Sequence, residues 1–203
     1  MEPFTVHKGT TVSLMEDNIN TDQLLPSRYL SRIEKTGYGE FLFDNWRYDI
    51  DFKTGEKTPK PDFPLNKPDR QGASILITGD NFAGGSSREH AVWALDDYGF
   101  RVVIAGGISD IFYMNSLKNG LLALTLPQKD RDRLAKLKGD EELTVDLVEQ
   151  QVRLGDEVFP FHIAEEWRHK LLHGIDDITE TMEHEEAITA YEKKWNQFYG
   201  INE

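Results

Sequence analysis

The sequence predicts a mixed α/β domain with a partly parallel sheet flanked by helices, and three observations predict it. Apolar runs at Ala73–Gly79, Arg101–Gly107 and Leu121–Leu126 have the length and β-branched content of buried strands. Helical stretches, Ser87–Tyr98 and Ser109–Gly120, separate them. Strand, helix, strand, helix, strand in succession implies parallel pairing through crossovers. Alternating segments on either side, Phe4–Leu14 and Glu142–Ile163, add antiparallel pieces at both ends.

The elements follow in order. Phe4–Leu14 alternates around Gly9 and reads as a hairpin or two short strands. Asn18–Pro26 reads as a loop leading into a short helix, and Gly37 and Gly39 mark a turn. Residues 53–72 hold Pro59, Pro61, Pro64 and Pro68, four of the eight prolines, so an extended excursion is expected there. Pro127 opens a charged helix at Gln128–Gly139. Glu142–Ile163 reads as a hairpin or meander around Gly155. Two helices, Ala164–Gly174 and His184–Gly200, end the chain, so a helical extension begins at about 163. At 203 residues the expected organisation is a single domain, 1–203.

Composition excludes several functions. Formal net charge is −13, from 23 basic and 36 acidic side chains, which repels nucleic-acid phosphates and anionic membranes. A few arginines in a cleft can still receive a small anion. There are no cysteines, so disulfides, zinc–thiolate sites and a thiolate-held iron–sulfur cluster are all excluded for this chain. No apolar run reaches the length of a membrane span, and the first residues lack the pattern of a signal peptide, so a cytoplasmic protein is expected.

The stretch DNFAGGSSREHAVWAL, from Asp80 to Leu95, concentrates the chemistry. Glycines between a strand and a helix let the backbone approach a ligand, and the first helical N–H groups attract anions. The serines have a plainer reading: Ser86 as N-cap and Glu89 at N3 make a capping box, with Ala91, Ala94, Leu95 and Tyr98 on the core face. Arg88 resists that reading, because a cation in the first turn opposes the helix dipole at a cost of ~0.3–1 kcal/mol, which an anionic ligand would offset. The loop has neither the phosphate-binding GxxxxGK[ST] pattern nor the GxSxG elbow.

NFAGGSSREHAVWAL resembles the serine loop of the aconitase superfamily. DNINTDQLLP (Asp17–Pro26), KTGYGEFLFDNWRY (Lys35–Tyr48), GASILITGDNF, YGFRVVIAGGISDIFYMNSLKNGLL and GIDDITETMEHEEAITAYE extend the likeness over essentially the whole chain, in order. Together they resemble the small subunits of 3-isopropylmalate dehydratase. The resemblance implies an aconitase-type swivelling β/β/α domain. It also implies a hydro-lyase that isomerises 2- and 3-isopropylmalate through an alkene in leucine biosynthesis. A [4Fe–4S] cluster is then expected in a partner large subunit, with no cofactor held by this chain and a dicarboxylate as substrate. Such a chain is active only with that partner, as a heterodimer.

The resemblance further implies roles for individual residues. Ser86 would be the base that removes and returns a carbon-bound proton. Arg88 would support it and hold a substrate carboxylate, and Ser87 would add a hydrogen bond. Thr21 and Asp22 would border the site, Asp22 by orienting Arg88 or a hydroxyl; an Asx or ST turn is their plainer reading. Arg28, Tyr29, Leu30 and Arg32, within Pro26–Lys35, would set substrate choice, with Tyr29 or Leu30 as an apolar wall. A solvated basic face is the alternative for each arginine. The family's usual cysteine before the two serines is replaced at Ala83 or Gly84.

Other patterns carry less. Asn18, Asn20 and Asp22 imitate the start of a calcium loop, but Tyr29 stands where its bidentate Glu belongs. His169 and His173 share a helix face without the Glu of a zinc HExxH motif and read as solvated. Two competing functions stay open at this point: a related hydro-lyase acting on homoaconitate- or citraconate-type acids, and a non-catalytic anion-binding module.

Overall fold

A computed structural model describes residues 1–32, 34–51, 53–182 and 184–199. The first elements are β1 (Val6–Leu14), α1 (Thr21–Leu24), α2 (Asp44–Arg47), β2 (Tyr48–Ile50) and β3 (Lys57–Pro59). The central elements are β4 (Ile75–Thr78), α3 (Glu89–Tyr98), β5 (Val102–Ala105), α4 (Asp110–Lys118), β6 (Leu122–Thr125) and α5 (Gln128–Leu134). The last are β7 (Glu142–Asp146), β8 (Gln151–Leu154), β9 (Glu157–Pro160), α6 (Glu165–His173), α7 (Asp177–Met182) and α8 (Glu185–Tyr199).

The main sheet runs β6-β5-β4-β1-β7-β8-β9. β6, β5, β4 and β1 are mutually parallel, and β7, β8 and β9 continue the sheet antiparallel. Side chains along a strand alternate between faces, so each central strand feeds two cores. Leu76 and Val103 join Val12, Leu24 and Leu95 on one face. Ile75, Ile77, Val102 and Ile104 join Leu134, Leu143, Val152 and Leu171 on the other. The parallel centre and antiparallel flank are the mixed sheet that the apolar runs predicted.

Several expectations are corrected. Val6–Leu14 is one strand, not a hairpin, because Gly9 pairs with Leu143 and lies against Ser74, whose Oγ would stand 2.0 Å from an added Cβ. The glycine there permits close approach rather than a turn. Asn18–Pro26 contains a helical turn, α1, fixed by a capping box: the Asn20 side chain accepts from the Gln23 N–H, and the Gln23 side chain accepts from the Asn20 N–H. α3 starts at Glu89, two residues later than the periodicity suggested. The 53–72 excursion includes β3, which pairs with β2, and two 3-10 turns opened by Pro64 and Pro68. Three helices close the chain rather than two, because Gly174 ends α6 in the left-handed region at φ +68° and Asp176 then accepts from the N–H and Oγ1 of Thr179 to start α7. The described residues form no helix long and apolar enough to cross a membrane.

Candidate functional site

The loops that leave the carboxyl ends of β1, β4 and β5 lie together, where open α/β sheets gather their ligands. Backbone hydrogen bonds zip the first two: Asn18 N to Asp80 O at 2.8 Å, Ala83 N to Ile19 O at 2.6 Å, and Thr21 N to Gly84 O at 2.9 Å. Side chains add Asp80 N to Asp17 Oδ1 at 2.6 Å and Asn81 Nδ2 to Asn18 Oδ1 at 2.8 Å. The third loop joins through Phe82, which bonds Gly107 and Ser109. Asn18, Asn81 and Ala83 all adopt positive φ, at 60°, 54° and 58°. That backbone is strained for an alanine, and the surrounding bonds hold it there.

The serines do not cap the helix. Arg88 is the N-cap residue, with φ −110° and ψ 105°, and no side chain caps α3. Ser86 and Ser87 are exposed, and their hydroxyls make no hydrogen bond among the described residues. The chain reaches them through Gly85 at φ +103° and an Arg88 N–H bond back to Ser86 O at 2.8 Å. Two unused hydroxyls therefore stand beside the open amides of a ten-residue helix.

Thr21 is buried, and its Oγ1 donates to Ser86 O at 3.1 Å, so the serine loop rests directly on α1. Asp22 pairs with Arg88 through Oδ1 and Nη1. The Arg88 side chain is only 16% exposed against 59% for Asp22, so the carboxylate orients a mostly buried guanidinium from the solvent side. Thr21, Asp22, Ser86, Ser87 and Arg88 thus form one cluster.

Arg28, Tyr29, Leu30 and Arg32 form a second cluster, organised by a residue the sequence did not single out. The Asp44 carboxylate is fully buried and accepts from Tyr29 OH at 2.5 Å, from Lys57 Nζ at 2.7 Å and from Arg28 Nη2. Burial alone would raise its pKa, but the bonds from Lys57, Tyr29 and Arg28 outweigh that and hold it below the ordinary carboxylate value. Arg28 also bonds Asn45 Oδ1 at 2.9 Å. The Tyr29 ring stacks on Phe41 at 3.9 Å. Arg32 lies over Phe41 and Tyr38 and bonds Gly37 O at 3.3 Å. Leu30 packs half-buried against the core. Both arginines are already engaged within the chain, which a reading by spacing alone could not foresee.

A groove of about 880 Å³ runs between Ser13–Glu16 and Lys60–Pro64, with Asn45, Trp46 and Asp49 on its wall. It does not include the serine loop. Among the described residues no group of three or more His, Asp or Glu side chains could hold a metal ion. The His169 and His173 rings lie tilted at 39° with centroids 4.3 Å apart on an exposed face of α6, and His173 Nδ1 lies 2.9 Å from the His169 carbonyl. The Asp44–Lys57 contact carries no local sequence signal, because it joins residues on different elements.

The family model for the aconitase C-terminal domain matches residues 1–129. The 3-isopropylmalate dehydratase small subunit of Listeria monocytogenes serotype 4a (strain HCC23) is 58% identical over 194 residues, 96% of this chain and 98% of its own length. That of a Bacillus cereus strain is 55% identical over the same shares. Among solved structures, 3-isopropylmalate dehydratase from Methanocaldococcus jannaschii aligns with a TM-score of 0.64 at 20% identity, covering 92% of this chain and 99% of that one. At that identity the structural likeness speaks for the fold.

Proposed function

The chain belongs to the aconitase C-terminal domain family and, within it, to the 3-isopropylmalate dehydratase small subunits; from that premise we propose how its serine loop takes part in the reaction. The chain serves leucine biosynthesis as the small subunit of a hydro-lyase. The reaction interconverts 2- and 3-isopropylmalate by removing water and adding it back with the hydroxyl on the neighbouring carbon.

Ser86 is the base. Its oxyanion takes the proton from the carbon beside the one that loses hydroxide, and the same group returns a proton on rehydration. Catalysis of this kind contributes ~10²–10⁴-fold. Arg88 holds a substrate carboxylate and stabilises the oxyanion, Asp22 fixes its direction, and Ser87 donates a further hydrogen bond. Thr21 seats the loop. The observation that carries this reading is the pair of serine hydroxyls left uncapped and exposed beside the oriented Arg88.

An exposed serine is a poor alkoxide, because water screens the groups that would stabilise it. A second surface must close over the loop and exclude solvent. That supports a heterodimer in which this chain, 1–203, acts as a single swivelling domain against a large subunit, and its relatives' biosynthetic role supports a cytoplasmic setting. With no cysteine, the chain has no thiolate for a cluster, so the [4Fe–4S] group belongs to the large subunit. When bound there, it supplies a Lewis acid for the substrate hydroxyl and one carboxylate.

Leu30 and Tyr29 provide the apolar wall for the isopropyl group. Arg28 is already held by Asp44 and Asn45, which supports a dicarboxylate substrate over one that places a third carboxylate on that guanidinium. Arg32 is occupied by Gly37 and its aromatic neighbours. The test mixes the purified chain with anaerobically reconstituted large subunit and follows alkene formation from 3-isopropylmalate in the ultraviolet. Activity in the mixture and in neither chain alone is expected. An inactive mixture, beside an active control complex, contradicts the substrate assignment.

A further inference from the structure

Arg131 is the most buried arginine among the described residues, at 1% exposure, and it lies outside both clusters already described. It projects from α5, which packs Leu134 into the core on the far face of the sheet. A buried guanidinium must find acceptors, and three of the four found here mark the carboxyl edge of a parallel strand or the start of the serine loop, the fourth being Gln128 on α5 itself. Nε donates to Leu126 O at 3.1 Å and Nη1 to Thr78 O at 2.9 Å. Nη2 donates to Asp80 Oδ1 at 2.6 Å and to Gln128 Oε1 at 2.7 Å. One planar fork therefore ties the ends of β4 and β6 to the first side chain of the loop.

The path is cleared by a glycine. A Cβ on Gly106 would stand 1.6 Å from Asp80 Oδ1 and 2.1 Å from Arg131 Nη2, so the pair occupies the space that any other residue would fill. Asp80 then passes the constraint on through its own backbone. Its N–H donates to Asp17 Oδ1 and its carbonyl accepts from the Asn18 N–H. Beyond it the loop enters the left-handed conformations of Asn81 and Ala83, the second of them strained, so the position of its first residue bears on the rest.

We propose that Arg131, acting through Asp80 across the gap left by Gly106, is a positioning residue for the serine base. The inference rests on Ser86 as that base. Asp80 has a 58% exposed side chain, and Arg131 keeps three other acceptors without it, so Asp80→Ala removes the link while the core stays packed.

The test is a double-mutant cycle in the complex assembled with the large subunit, using turnover of 3-isopropylmalate at saturation. Asp80→Ala lowers kcat by about tenfold or more in the wild-type background, with KM within about twofold, and by less than about twofold in the Ser86→Ala background, because groups that act as one unit are non-additive. Asp80→Asn, which keeps the acceptor oxygen, restores most of the rate. Gly106→Ala, which leaves both partners intact but fills the gap, reproduces the loss. An equal loss from Asp80→Ala in both backgrounds means a general structural defect and overturns the proposal, as does wild-type activity of Asp80→Ala. If Asp80→Ala fails to fold, Gly106→Ala completes the same cycle, with Asp80→Asn as its control. Full activity of Ser86→Ala alone removes the base assignment itself, and the inference with it.

Discussion

Asp44→Asn tests how the second cluster is held. The substitution keeps the shape and one acceptor oxygen of a fully buried side chain, and removes the charge that Arg28 and Lys57 share. The carboxylate accepts three charge-assisted hydrogen bonds, from Lys57 at one oxygen and from Arg28 and Tyr29 at the other, each contributing ~1.5–3 kcal/mol; the amide keeps an acceptor oxygen for one side only, and the bonds there weaken. The new amide N–H₂ also faces a cation or the Tyr29 hydroxyl. Against this, Arg28 and Lys57 keep 38% and 29% of their side chains in solvent, so both regain hydration and the penalty is screened. The net loss is then about 2–4 kcal/mol, a fall of roughly 1–2 M in the urea midpoint at a slope of ~2 kcal/mol/M. The carboxylate pKa is lowered in the fold, so its contribution is complete above the ordinary carboxylate value of ~3.9 and disappears as pH falls through the lower folded value. Urea unfolding of both proteins from pH 7 down to pH 3 should show a gap that is constant near neutrality and narrows only in acid. A gap below ~0.5 kcal/mol at pH 7, or one that does not change with pH, would refute the reasoning.

The remaining predictions concern the serine loop and the scaffold beneath it. Arg88→Lys, which replaces an oriented fork by a point charge, should lower kcat/KM in the assembled enzyme by ~10-fold or more; saturation kinetics at unchanged complex concentration measure it. Gly39→Ala should cost about 1–3 kcal/mol in a thermal melt, because the added Cβ would stand 2.6 Å from Tyr98 N and 2.8 Å from the Asp97 carbonyl carbon, backbone atoms that cannot yield. His7 is kept neutral in the fold, its pKa lowered by burial and then by Arg101, while its Nε2 lies 2.7 Å from Ser74 Oγ. Its contribution is therefore complete above the unfolded pKa of ~6.5 and is lost as pH falls towards the folded value; His7→Gln should flatten stability against pH between about 7 and 5, and an unchanged slope rules the His7 account out.

The strands were legible wherever burial on both faces wrote a continuous apolar run, as at Ile75–Thr78 and Val102–Ala105. Gly9 misled because a glycine in an alternating segment signals a turn, whereas here it clears Ser74. Ser86 to Glu89 has the spacing of a capping box, and the real capping box is at Asn20 and Gln23, partners with the same three-position spacing. The extended backbone at Arg88 decided the first case, and nothing local encodes it. The charged partners are the least legible. Asp44 meets Lys57 through the β2–β3 hairpin, and Asp80 meets Arg131 across the end of β5, so both pairings are products of tertiary structure.

The most direct test of the central claim is turnover of 3-isopropylmalate by the large subunit assembled with Ser86→Ala, compared with the wild-type assembly, together with a melt confirming that the variant folds. A fall of ~10²–10⁴ in kcat with an intact complex is the predicted result. Wild-type turnover by the Ser86→Ala assembly would contradict the account, leaving that serine with no catalytic part.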